Sequence, residues 1–206
     1  LVERDKEELQ VDDFLPGAWE GLATWDDRII GLPLAPYYMY IHYRTDLFAE
    51  KNLEAPVTKD EFVNAIETLY DPDNNHYGLA IALKRGPSIV HDWCAYFNAF
   101  GGKMFNDMPN DYSSGVNSDI AIETTQMLKD LLPYLPDGVL QYENADRWNS
   151  FMHGSAAMTA VFNANSPQFE TAEDTQVAGK VGYAPLPKLT EEGEHSLPFA
   201  GFSISI

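Results

Sequence analysis

Apolar and polar residues change rhythm often along this chain, and each change marks an element. Trp19, Leu22 and Trp25 recur at helical spacing before the polar turn Asp26-Asp27-Arg28, which feeds an apolar strand over 29–32. That strand meets Pro33 and Pro36, then resumes as the aromatic run Tyr37-Tyr38-Met39-Tyr40-Ile41 and ends in a charged turn at 43–48. A central strand cannot lose two backbone donors, so the pattern predicts that the chain leaves one sheet here and enters another. A kinked edge strand with its tyrosines in a core explains the same residues.

Thr58 and Glu61 form a capping box ahead of a helix running to about Leu69, with Phe62, Ala65, Ile66 and Leu69 on one face. A strand is predicted over 78–83. Ser88 is positioned to cap the next helix, whose apolar face is Ile89, Trp93, Phe97 and Phe100, and Gly101-Gly102 ends it. Residues 103–115 read as a hairpin excursion. Asn117-Ser118 opens a long helix striped by Ala121, Thr124, Leu128, Leu131 and Leu135, with Pro133 and Pro136 marking its end, and Asn144 opens another bearing Trp148, Phe151 and Met152, stopped by Gly154. The small-residue strand 156–162 empties into Asn163-Ala164-Asn165; strands follow at 181–186 and, broken by Pro and Gly, at 197–206. Strands alternating with helices predict an α/β architecture with a mostly parallel sheet.

Length and composition narrow the classes. A chain of 206 residues can bury a core and form one or two domains. With 32 acidic against 13 basic residues and a net charge of −19, its surface would repel a nucleic acid, and none is expected as a partner. The acidity suits either a salty habitat or a secreted protein. Cys94 is the only cysteine, which excludes an internal disulfide and a thiolate metal cage, and its apolar neighbours make it an inert core residue. No apolar run approaches the roughly 20 residues needed to span a bilayer. The charged start, without an initiator Met, reads as the interior of a longer chain.

Catalytic motifs are missing: there is no nucleophile elbow, zinc helix, Walker loop or dinucleotide fingerprint. The histidines (His42, His76, His91, His153 and His195) are scattered, none paired at metal-ligand spacing. Asp71, Asp73 and Asn75 alternate as in a calcium loop, but His76 and Ala82 stand where that loop needs Gly and Glu, so a polar turn is expected. Neither enzyme activity, a metal nor a cofactor is expected.

A wider pattern carries a resemblance. Leu32-Pro33, Tyr43-Arg44-Thr45-Asp46-Leu47-Phe48, Pro56-Val57-Thr58-Lys59-Asp60-Glu61-Phe62, Phe100-Gly101-Gly102, Phe151 to Met158 and Val181 to Pro187 follow one another in this order over nearly the whole chain. In this the chain resembles the sugar-binding, maltose-binding-protein-like group of extracellular solute-binding proteins that serve ABC importers. The resemblance implies a type II periplasmic-binding-protein fold. Residues 1–36 would belong to the N-terminal lobe and first crossing, 37–196 to the C-terminal lobe, and 197–206 to the second crossing. It implies capture of a carbohydrate, an oligosaccharide by preference, in an interlobe cleft that closes by hinge motion at 34–38 and 197–202. Delivery to an ABC transporter permease would follow, from a monomer that is periplasmic or extracellular and open to lipid anchoring. The same fold could hold a polyol, peptide or glycerophosphodiester, and a secreted carbohydrate-active enzyme is a further alternative.

A pyranose offers a C–H face for an aromatic ring and a rim of hydroxyls for amides, carboxylates and imidazoles. On loops expected to face the cleft, that selects Tyr37 and Tyr38, then His91, Asp92 and Trp93, then Asn163 and Asn165, and lastly Gly201 and Phe202. The resemblance raises each of them. One departure is that Asn163-Ala164-Asn165 stands where the family often places an aromatic.

Overall fold

The structure is a computed structural model describing residues 2, 4–108, 110–191 and 199–205; His195, Leu197 and Pro198 lie outside the described residues. Its helices are α1 (Pro16–Ala18), α2 (Thr45–Glu50), α3 (Lys59–Thr68), α4 (Pro87–Ala99), α5 (Asp119–Leu131), α6 (Asn144–Met152) and α7 (Ser166–Thr171). Its strands are β1 (Thr24–Trp25), β2 (Arg28–Ile29), β3 (Leu32–Arg44), β4 (Phe105–Asp107), β5 (Asp111–Ser114), β6 (Met158–Phe162), β7 (Val181–Ala184) and β8 (Phe199–Ile204). The chain divides into two compact units, Leu1–Tyr38 with Phe199–Ile206, and Met39–Pro198.

In the smaller unit the helical spacing of Trp19, Leu22 and Trp25 holds only to Ala23, where a wide turn following α1 ends. Trp25 then lies exposed on the β1–β2 hairpin, whose turn residues Asp26 and Asp27 both take positive φ, as a tight two-residue connection requires. The first half of β3 pairs antiparallel with β8. The two prolines do not break the strand. A register shift between Pro33 and Ala35 sets Pro33 opposite Ser203 and Pro36 opposite Gly201, two residues apart on β8. The extra residue, exposed Leu34, thus brings both prolines onto the same class of ladder position. Proline fits where its missing N–H would have pointed away from the partner strand.

In the larger unit the second half of β3 is central, flanked by β6 and β7, both antiparallel to it. Segment 77–83 lies beside β6 through parallel bridges, Tyr77 to Ala156 and Ala80 to Thr159. The expected mostly parallel sheet is therefore corrected: among the described residues each ladder between named strands is antiparallel, and parallel pairing is confined to these bridges and one between Thr58 and Lys188. The cause is β3, which runs against every strand it meets. Helix periodicity predicts crossovers but does not give the direction of a strand arriving from another unit.

Side chains alternate across β3, so its faces feed different cores. Met39 and Ile41 join a large cluster with Phe62, Ile66, Tyr96 and Leu128, carried by α3, α4 and α5. On the opposite face Val161, beside Tyr40, joins Phe151, Phe169 and Val177 under α6 and α7. The capping box forms as expected: Glu61 N donates to Thr58 Oγ1 at 3.3 Å and Thr58 N to Glu61 Oε2 at 3.0 Å. Ser118 caps α5 by accepting from Ala121 N. Ser88 does not cap α4. Pro87 suits the first helical position, so the cap falls one residue earlier, on Gly86 with φ of 145°, and no side chain fills it. Asp71 and His76 close their turn with mutual backbone hydrogen bonds, and Asn74 Nδ2 donates to Asp71 Oδ2, so this carboxylate serves the turn.

Candidate functional site

Strand directions in the larger unit bring several chain ends together. Met39, where β3 enters, sits opposite Phe162, the last residue of β6. Because β7 also runs against β3, its last residue, Ala184, lies opposite Ile41 near the same end. Segment 77–83 runs with β6, so it too ends there, and α4 begins four residues later. In open parallel α/β sheets ligands bind outside the carboxyl ends of the strands, and β6, β7 and segment 77–83 share one direction here.

His91, exposed on the second turn of α4, meets the Phe162 ring edge to face, with centroids 5.9 Å apart. Directly after Phe162 comes the short turn Asn163–Asn165, both asparagines half-buried, and then α7. The structure thus brings His91, Asn163 and Asn165 to one end around Phe162. Asp92 and Trp93 are not part of this surface. Asp92 is fully buried and its carboxylate is taken, Oδ2 accepting from Ala82 N at 3.0 Å and Oδ1 from Arg147 Nη1 at 2.5 Å. Trp93 faces α5, where its Nε1 donates to Thr125 Oγ1 at 3.0 Å and its ring stacks on Phe97. The correction has a simple origin: consecutive helical residues point about 100° apart, so three in a row cannot share one surface.

Residues that the motif reading passed over lie beside this end. The Ser166 hydroxyl is 2.8 Å from both Tyr40 Oη and His42 Nε2. His42 Nδ1 is 3.2 Å from the Tyr40 carbonyl oxygen. Tyr40 stacks on His42, and Tyr183 on β7 sets its ring edge to face against both. Burial lowers the His42 pKa to about 4, with the Tyr40 carbonyl opposing and Arg147 adding to the fall, so the ring is neutral at ordinary pH. Burial, with Glu170 and Tyr40 nearby, pushes the Tyr183 phenol up. The signal in the sequence was the i, i+2 spacing of Tyr40 and His42 on a strand, which puts both on one face.

In the smaller unit, Tyr37 and Phe202 are diagonal neighbours across the β3–β8 ladder, their rings edge to face at 5.7 Å. Phe202 is exposed and Tyr37 half-buried. Tyr38, one residue on, falls on the opposite face of the strand. Gly201 has a packing reason: a Cβ there would lie 2.5 Å from the Ala35 carbonyl oxygen and 2.6 Å from Leu22 Cδ1. Among the described residues no group of three or more His, Cys, Asp or Glu could hold a metal ion, and no helix is long and apolar enough to cross a membrane.

Comparison with known proteins accords with the fold. Residues 1–205 match the family model described as bacterial extracellular solute-binding protein. A probable amino-acid ABC transporter periplasmic-binding protein of Sinorhizobium fredii is 23% identical over 197 residues, covering 92% of this chain and 44% of its own length. A solute-binding protein of Agrobacterium radiobacter, solved with ribitol, superposes on the whole chain with a TM-score of 0.90 and 28% identity, over 51% of its own length. Maltose-bound MalE3 of T. maritima gives 0.86 and 25%, again over the whole chain and 52% of its own. The chain spans about half the length of these relatives, and its fold is that of the type II periplasmic solute-binding proteins. By a match running almost end to end, the chain belongs to the bacterial extracellular solute-binding protein family.

Proposed function

We propose that this chain is part of a protein that captures a carbohydrate or polyol outside the cytoplasm and hands it to an ABC transporter permease. The observation that carries the reading is the meeting of His91, Phe162 and the Asn163–Asn165 turn at the carboxyl ends of β6 and segment 77–83. A ring with an adjacent imidazole and amides matches the C–H face and hydroxyl rim of a sugar or sugar alcohol. The ribitol-bound and maltose-bound relatives support this class of solute. The protein would act as a monomeric binding component without catalytic turnover, in the periplasm or held by a lipid at the cell surface.

Isothermal titration of the whole protein against ribitol, mannitol, maltose and longer maltooligosaccharides tests this reading, with thermal shift as a second readout. Saturable heat with one of them is expected. The Sinorhizobium relative supplies the competitor: heat with free amino acids and none with any sugar or polyol would overturn the choice of solute.

A further inference from the structure

Asp92 and Arg147 form an ion pair with side chains 0% and 1% exposed. Besides the bonds described above, Arg147 Nη2 donates to Asn144 Oδ1 at 3.1 Å. Arg147 Nε has no partner among the described residues, and neither does the buried hydroxyl of Tyr96. A buried pair left part-satisfied is a poor source of stability, and apolar residues of similar volume often do as well or better. What the pair does fix is register. It joins the end of segment 77–83, the second turn of α4 and the first turn of α6. Lys84 ties the end of that segment to the start of α6 a second time: its backbone N donates to the Tyr142 carbonyl at 3.1 Å and its ammonium pairs with Glu143. His91, adjacent to Asp92 in the chain, packs against Phe162.

We propose that Asp92 and Arg147 are a positioning pair for solute capture: they hold His91, on the second turn of α4, against Phe162, and neither touches the solute. The inference rests on reading this end of the unit as the ligand face. Loosening a binding group by an ångström costs far more in affinity than in stability, because the fold has many other contacts and the site has few.

The test replaces the pair with apolar residues, Asp92→Leu with Arg147→Met, in the whole protein; Asp92→Asn alone stands in should the double variant not fold. Three quantities are read: the melting temperature, the affinity for whichever of ribitol or maltose the parent binds, and the His91 ring-proton NMR shifts, assigned with His91→Gln. Those shifts carry the ring current of Phe162 and need no ligand. The expected result is a melting temperature at or above the parent's, loss of the ring-current shift, and affinity weaker by about tenfold or more. Unmoved shifts with full affinity overturn the proposal. Moved shifts with unchanged affinity overturn it equally, since the placement of His91 would then not matter to capture. A parent protein that binds no polyol or saccharide sinks the functional reading instead, and the His91 shifts alone then decide whether the pair positions it.

Discussion

His42 Nε2 and the Ser166 hydroxyl lie 2.8 Å apart although 124 residues separate them in the chain. The contact ties the strand that runs through both units to the start of α7, directly after the Asn163–Asn165 turn. Burial among the Phe151, Phe169, Tyr40 and Tyr183 rings keeps the imidazole neutral.

That neutrality sets a pH dependence. His42 titrates at about 4 when folded and at the ordinary 6.5 when unfolded, so between these values the unfolded chain binds the extra proton. Stability is complete above 6.5, falls as pH drops through the window, and levels off below 4. At pH 4.5 the loss from this one group is about 2.5 kcal/mol. Urea unfolding of the parent and of His42→Gln, compared from pH 7 to 4.5, should show a slope in the parent that the variant largely lacks. Parallel pH profiles would show that His42 is not the cause.

Ser166→Ala tests the hub from its other side. Removing the hydroxyl takes a partner from both His42 and Tyr40, and a buried group left without its bond costs about 1–3 kcal/mol. Denaturant unfolding at pH 7 should show a loss in this range. A loss below about 0.5 kcal/mol would mean that solvent replaces the hydroxyl freely.

Much of the larger unit could be read from the sequence, because its elements obey local rules. Thr58 and Glu61 cap α3, Ser118 caps α5, and Gly154 takes the positive φ, 80°, that ends α6. What the sequence hid depends on partners far along the chain. The inward turn of Asp92 follows from Arg147, 55 residues later, and nothing near position 92 announces it. The prolines of β3 look like strand breakers until the bulge at Leu34 matches both to alternate residues of β8. Of the candidate site, His91, Asn163 and Asn165 come together, whereas His42 was set aside as one of several scattered histidines. Pairing on a strand face, unlike metal-ligand spacing, shows only once the register is known.

Gly78 is a sharper test of packing than most core positions. A Cβ there would lie 2.2 Å from the backbone carbonyl oxygen of Ile66, and backbone cannot rotate away as a side chain can. Gly78→Ala should force segment 77–83 and α3 apart and cost about 1–3 kcal/mol. A variant as stable as the parent by denaturant titration would show that the two segments have room to separate.

His91 and Trp93, two residues apart on α4, should respond oppositely to truncation. His91 is exposed and packs only its edge on Phe162, so His91→Ala should leave the melting temperature nearly unchanged. Trp93 is half-buried, stacks on Phe97 and bonds Thr125, so Trp93→Ala should cost about 1–3 kcal/mol of folding stability. Solute affinity reverses the order: the His91 variant should bind about tenfold more weakly, while the Trp93 variant, measured well below its melting temperature, keeps its affinity. Titration calorimetry and thermal unfolding on the whole protein separate the two effects. Affinity lost through Trp93 and kept through His91 would move the binding surface to the α4–α5 side, away from the carboxyl ends of the strands.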